Sequence, residues 1–294
     1  MNLSLKYSIM KKVIFFSILT FLMDFTNYSN AQGIIPNHQI KKQVKKQVQT
    51  TDGFQRKSDG EKANAQWTGT ISNDWNTAGN WSIGSVPNAT DNASIPVGTP
   101  YSPVIGSGVS AYCNNLYLYS GASLDQNAGS YFYCYGNFDA GFGQFTMTGS
   151  SYLYFRGANN NLWYDDYQDD TYTYVRVEKV PSSASMTMQQ DMTCSGTFEI
   201  REGVFEMTEY STLTITNTST NAFEVENGGK LELDIVNRSV VVYGGIVFRD
   251  GSQVYHLNCP IYVGGNLSIE NNVLYNIHLG NVFMNGSGTQ YIQD

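Results

Sequence analysis

The sequence predicts an all-β fold, a parallel β-helix or β-solenoid. Three features carry that reading: a short motif that recurs, a near-constant spacing between its later copies, and the glycine or asparagine that closes each copy. The motif is apolar, any, apolar, any, any, Gly. It reads Leu116-x-Leu118-x-x-Gly121, Phe138-x-Ala140-x-x-Gly143 and Phe198-x-Ile200-x-x-Gly203. It returns as Phe223-x-Val225-x-x-Gly228, Ile246-x-Phe248-x-x-Gly251 and Leu267-x-Ile269-x-x-Asn272. The last four copies start 25, 23 and 21 residues apart.

Alternation explains the motif. Period two puts Phe198 and Ile200 on one face of a strand and Thr197 and Glu199 on the other. One strand cannot bury that face alone, so each coil stacks on its neighbours about 4.8 Å away. The closing glycine supplies a positive-φ corner, and Asn272 substitutes for it in the last copy. Residues 112–294 then form the coils, about eight at roughly 22 residues each, in a rod of roughly 40 Å. An antiparallel sandwich also alternates and turns on glycine, but has no reason to keep this register through six copies.

Residues 1–31 read as a secretory signal: Lys6, Lys11 and Lys12, then the apolar run Val13 to Met23, then Ser29-Asn30-Ala31 before a cut at Gln32. That run is too short to span a bilayer, which needs about 20 apolar residues. Residues 32–66 read as a flexible polar linker with seven Lys or Arg against three acids. From Trp67 onward the balance inverts to seven Lys or Arg against 21 Asp or Glu. Such an acidic rod repels nucleic acid and anionic lipid, and tolerates neutral glycans or divalent cations.

Residues 67–111 read as a capping segment over the first coil, since an open rod end exposes backbone and core. Trp67, Trp75 and Trp81 fall within fifteen residues, followed by Val86-Pro87 and Ile95-Pro96. This Trp…Asn-Trp…Gly-x-Val-Pro…Asp-x-x-x-Ile-Pro order resembles the opening of large exported repeat proteins of Bacteroidota and of autotransporter passenger domains. The resemblance implies a right-handed parallel β-helix, a secreted or cell-surface location and, for many Bacteroidota members, the type IX secretion system. No stretch of these 294 residues reads as the C-terminal sorting domain of that family. Gly143-x-Phe145-x-Met147-x-Gly149-Ser150 returns as Gly280-x-Val282-x-Met284-x-Gly286-Ser287, so the chain is expected to break off mid-pattern, as a truncated gene or fragment would.

Of the four cysteines, Cys134 and Cys194 fill the inward position that Val242 and Val263 fill elsewhere, and so read as core residues. Cys113 and Cys134 lie one coil apart, which also permits a bridge between stacked strands.

Residues 159–177 break the repeat, and a projecting loop is expected there. Asp165, Asp166, Asp169 and Asp170 can together hold Ca²⁺, although they do not follow the Asp-x-Asp-x-Asp-Gly loop. No other cofactor is expected. Enzymes on such folds include pectate lyases and polygalacturonases. Asp165-Asp166 is similar to the paired aspartates of polygalacturonases, but the Gly-His-Gly and Arg-x-Lys motifs are missing. Arg176 and Lys179 stand almost alone as lyase bases, and His256 and His278 have no nucleophilic partner nearby.

The stronger signal is aromatic. With Leu116, Leu118, Phe132, Cys134, Val175 and Val177 inward, alternation sends Tyr117, Tyr119, Tyr131, Tyr133, Tyr135, Tyr172 and Tyr174 outward. Exposed tyrosines can stack on sugar rings and hydrogen-bond their hydroxyls. The sequence therefore reads as an exported, surface-associated rod, a structural or adhesive, adhesin-like repeat protein whose partners are glycans or cell-surface components. No nucleic acid and no membrane span after signal cleavage are expected. The alternative is a carbohydrate-active β-helix enzyme, a polysaccharide lyase or hydrolase built on the Asp165–Asp170 loop. A third reading is a spacer that binds nothing.

Overall fold

The structure is a computed structural model that describes residues 64–294 apart from 142, 167–170, 209–210, 234–237, 258, 279–280 and 294. The expected signal sequence and the linker as far as residue 63 lie outside the described residues, as do Asp169 and Asp170. Among the described residues no helix is long and apolar enough to cross a membrane.

The chain is a β-solenoid. Short strands come in triplets, beginning with Asn92–Ile95, Val104–Ile105 and Ser110–Cys113, then Leu116–Leu118, Ser123–Gln126 and Tyr131–Cys134. The last triplet is Leu274–His278, Val282–Met284 and Ile292–Gln293. Strands of the same rank pair in parallel with the coils before and after, so three faces form. The first and third faces join into one 18-stranded sheet, because Phe198–Met207 runs unbroken round a corner. Its Phe198–Ile200 half pairs on the third face and its Val204–Met207 half on the first. The second face is split into sheets of three and six strands, between Gln144–Met147 and Thr171–Tyr172.

None of these strands could hold alone, and the core shows what holds them together. Phe198, Phe223, Ile246 and Leu267 stack in register up the third face, all buried. The Phe198 and Phe223 rings meet edge to face at 5.8 Å. Alternation works as the sequence predicts: along Tyr131–Cys134 the side chains are half-buried, buried, half-buried, buried.

The six motif copies do not form one ladder. Leu116 and Phe138 stack on the first face, whereas the last four copies stack on the third. The motif encodes a corner, and a three-sided coil uses similar corners more than once. Cys134-x-Gly136 carries the chain from the third face to the first, and Cys194-x-Gly196 from the second to the third. The closing residues Gly121, Gly203, Gly228, Gly251 and Asn272 all have positive φ. At Gly143 the bend has moved to Gly141, whose φ is 52°.

Coils also begin before residue 112. Asn92–Cys113 already makes a full coil, and Asn64–Gln66 pairs with Asn92–Ile95. Between these strands the three tryptophans pack against one another, Trp81 lying edge-on to Trp67 at 5.0 Å and to Trp75 at 4.7 Å. All three are buried. The first coil turns the small Ala93 and Ala111 inward beside Ile95 and Cys113, and Trp75 reaches Phe132 in the next coil at 5.5 Å. Buried Asn80 ties the segment down by accepting from the amides of Ile71 and Ser72 and donating to the Asp74 carbonyl.

An asparagine ladder runs up the corner between the third and first faces. Asn92 donates to Asn64, Asn115 donates to Asn92, and Asn115 accepts from the Asn137 amide. Asn161 donates to Asn137, and the Lys179 ammonium donates to Asn161 Oδ1 at 2.5 Å and to the Arg156 carbonyl at 2.7 Å. Corner backbone must be hydrogen-bonded when covered, and this ladder does it. Cys113 and Cys134 are register partners in the core, and all four cysteines are free buried thiols.

Candidate functional site

The third face carries a strip of tyrosines made by register. Tyr112 is opposite Tyr133, which is opposite Tyr154; Tyr131 is opposite Tyr152, which is opposite Tyr174. Each column stacks its rings. Tyr112 to Tyr133 is 5.0 Å at 11°, and Tyr133 to Tyr154 is 4.8 Å at 20°. Tyr131 to Tyr152 is 5.2 Å at 13°, and Tyr152 to Tyr174 is 4.7 Å at 22°. The cross-column gap from Tyr131 to Tyr133 is 6.5 Å. Tyr154 is nearly buried under its neighbours, the central rings are half-buried, and Tyr112 is 37 % exposed at the edge of the strip.

Two arginines close the strip. The Arg156 guanidinium lies 4.7 Å from the Tyr133 ring centre, and that of Arg176 lies 5.1 Å from Tyr154. Arg156 donates through Nη2 to Glu178 at 2.7 Å, and Arg176 through Nε to Glu199 at 2.6 Å. Burial opposes the charge of Arg156, but its hydrogen bonds to Glu178 and Tyr135 overcome that and hold its pKa above the usual arginine value. Burial pushes the Tyr133 and Tyr154 phenols up, with Arg156 and Arg176 respectively pulling the other way. Farther along the face Arg249 bridges Glu224 and Glu270 at 3.1 and 2.8 Å.

Of the tyrosines expected to face outward, Tyr131, Tyr133 and Tyr174 sit together in this strip, with Tyr135 beside it against Arg156. Tyr117 and Tyr119 do not join them. Tyr117 is on the first face, opposite Asp139, and Tyr119 follows it at the corner.

Tyr172 must be corrected: it is buried and points into the core. Its hydroxyl donates to Asp165 at 2.5 Å and accepts from Trp163 Nε1 at 3.2 Å. Thr171–Tyr172 is a second-face strand, separated from Tyr174–Glu178 by a corner, so the alternation does not carry through from Val175. The sequence missed Tyr112, Tyr152 and Tyr154. The signal was present, since Tyr112, Tyr133 and Tyr154 recur at 21 residues.

Asp165 is corrected by the same contact. Asn161–Asp165 is a strand rather than part of a loop, and Asp165 alternates inward with Trp163. It therefore leaves the expected Ca²⁺ set. Asp166 is half-buried at the strand end, and its amide donates to the Gly141 carbonyl. Among the described residues no group of three or more His, Cys, Asp or Glu is placed to hold a metal ion.

Three of the residues considered for catalysis, Arg176, Lys179 and His256, make structural contacts. Arg176 belongs to the strip and Lys179 to the asparagine ladder. His256 is buried, with Nε2 against the Cys259 carbonyl and Nδ1 facing the Tyr275 hydroxyl at 3.4 Å. On the first face a shallow groove of about 340 Å³ lies over Glu206, Lys230, Glu232 and Gln253. Lys230 pairs there with Glu232, and Thr187 donates to Glu206 at 3.0 Å. Glu206 and Glu232 are register partners on adjacent coils, the first taken up by Thr187 and the second by Lys230.

The fold and this face define a β-helical rod with an aromatic side. Residues 66–153 are similar to the family described as a domain of unknown function, DUF8693. That span takes in the three tryptophans and the tyrosine strip from Tyr112 to Tyr152. No curated protein matches the chain, and no solved structure matches it.

Proposed function

We propose that this chain is an exported, surface-associated rod that adheres to glycans of cell surfaces or matrix through its tyrosine strip. The observation that carries the reading is the pair of stacked tyrosine columns on one side of an otherwise acidic rod. A side needed only for folding would gain more by burying such rings than by leaving their edges in water. Export rests on the signal-like residues 1–31, and the type IX route on the resemblance of the tryptophan segment to Bacteroidota repeat proteins. The tryptophan segment would close the first end of the rod. Ca²⁺ is not required by this reading.

The test is binding of the purified chain to a panel of cells and polysaccharides, comparing wild type with Tyr131→Ala/Tyr133→Ala/Tyr152→Ala. Loss of binding with the solenoid still folded supports adhesion through the strip. Binding that survives the triple change removes it, and no binding by wild type leaves the spacer reading. Release of soluble sugars from the panel would instead support the carbohydrate-active enzyme.

A further inference from the structure

We infer that the occupant of the strip is an extended, linear, uncharged polysaccharide lying parallel to the rod axis and held by rows of tyrosine hydroxyls. This rests on the adhesive reading and narrows it. Within each column the rings cover one another's faces at 4.7 to 5.2 Å. The usual sugar-binding mode, a pyranose laid flat on an aromatic face, is therefore closed along most of the strip. What each coil offers outward is a ring edge and a hydroxyl. The hydroxyls of Tyr112, Tyr131, Tyr133, Tyr152 and Tyr174 have no hydrogen-bond partner among the described residues.

The spacing of these hydroxyls is set by the backbone. Tyr112, Tyr133 and Tyr154 are register partners in successive coils, as are Tyr131, Tyr152 and Tyr174. Successive parallel strands lie about 4.8 Å apart, so the row Tyr131, Tyr152 and Tyr174 presents one donor–acceptor group per coil at that interval, and Tyr112 and Tyr133 do the same in the other row, which ends at the nearly buried Tyr154. This is close to the advance of one pyranose unit along an extended β-linked chain. A polymer that coils, as α-linked glucans do, falls out of step within a few units. Each column spans three coils and the two, offset by one coil, together span four, so the strip as a whole engages about four sugars.

Charge narrows the class further. The strip itself is neutral, because Arg156 is paired with Glu178 and Arg176 with Glu199. Beyond it the face turns to Glu224 and Glu270, with Arg249 between them. A polyuronate or sulfated chain running along the rod would meet those carboxylates, whereas a neutral glycan meets no such repulsion.

The experiment is calorimetric titration of the full chain with β-1,4-linked gluco-oligosaccharides of increasing length, alongside α-1,4-linked oligosaccharides of the same lengths. Sedimentation with particulate cellulose runs in parallel. Affinity for the β-linked series should rise with each added sugar and level off near four, and the α-linked series should bind at least 10-fold more weakly. Tyr131→Phe/Tyr133→Phe/Tyr152→Phe keeps the rings stacked and removes three hydroxyls; it should lose at least 10-fold in affinity with an unchanged urea midpoint.

Equal binding of the two series overturns the extended-chain inference, and so does full affinity in the phenylalanine variant. If these fail while the alanine variant still loses binding to other glycans, the adhesive reading stands alone. If wild type binds no glycan in either series or in the broader panel, both fall.

Discussion

The rings of Tyr133 and Tyr154, 21 residues apart in sequence, stack at 4.8 Å because their strands are register partners in adjacent coils. Each ring in the column is thus both part of an outward surface and a buried contact for its neighbours. The two roles separate by substitution. Tyr133→Ala removes stacking with Tyr112 and Tyr154 and uncovers Arg156, and should cost about 2–4 kcal/mol. Tyr133→Phe keeps the ring and should cost less than about 0.5 kcal/mol. Urea unfolding of both variants reads the difference. Equal losses would mean that the hydroxyl, not the ring, carries the stability.

Corner glycines should divide by what lies beside them. Gly203 has φ 84°, and a Cβ there would lie 2.5 Å from Lys179 Cβ and 2.8 Å from the Ala184 carbonyl oxygen. Gly203→Ala should therefore cost about 2–4 kcal/mol, strain and overlap together. Gly84 has φ 69° with nothing within 4 Å, so Gly84→Ala carries only the conformational cost of about 1 kcal/mol. Thermal melts of the two variants rank them, and a smaller loss at Gly203 would contradict the packing of this corner.

Burial lowers the pKa of Lys179 to about 8. An unfolded lysine titrates near 10.4, so between the two values the unfolded chain binds more protons than the folded one. This contribution to stability is fully present above the unfolded pKa and is lost as pH falls through the folded pKa. The Lys179 contribution alone should rise between about pH 8 and pH 10, by on the order of 1–3 kcal/mol. The raised thiols of Cys113, Cys194 and Cys259 oppose it from about pH 8.5 upward, and the raised phenols of Tyr133 and Tyr154 above about pH 10. The urea-midpoint difference between wild type and Lys179→Met across that window isolates the rise. A difference that does not change with pH would contradict the burial of this ammonium.

The thiols should be inert while the rod is folded. Burial pushes the Cys194 thiol up to about 12 and Cys259 up to about 11, and holds Cys113 well above its usual value. All four lie inside the coils. A maleimide should label none of them in native buffer and four per chain in urea under reducing conditions. Rapid native labelling of one thiol would show that its coil opens.

The solenoid was legible because burial repeats in the sequence: Phe198, Phe223, Ile246 and Leu267 are spaced by one coil and stack in register. The assignment of motif copies to faces was not legible. Cys134-x-Gly136 and Cys194-x-Gly196 look alike, yet they turn different corners of the three-sided coil. The same ambiguity misplaced Tyr172, since a corner between Thr171–Tyr172 and Tyr174–Glu178 resets which residues point inward. Asp165 reads as a loop acid because residues 159–177 break the repeat, whereas Asn161 continues the corner ladder from Asn137 and starts a strand. The tyrosine strip was half legible: parity along Tyr131–Cys134 showed outward rings, but only register joined them to Tyr112, Tyr152 and Tyr154.

The most direct test of the tyrosine strip as the working surface is a footprint on the tyrosines themselves. The folded chain is nitrated briefly with and without a saturating polysaccharide that it binds, and modified residues are mapped by mass spectrometry. Tyr101 and Tyr243, 50 % and 56 % exposed and outside the strip, serve as internal references. Protection of Tyr112, Tyr131, Tyr133, Tyr152 and Tyr174, with Tyr101 and Tyr243 unchanged, is the predicted result. Protection spread evenly over all of these residues, or confined to Tyr101 and Tyr243, would contradict it.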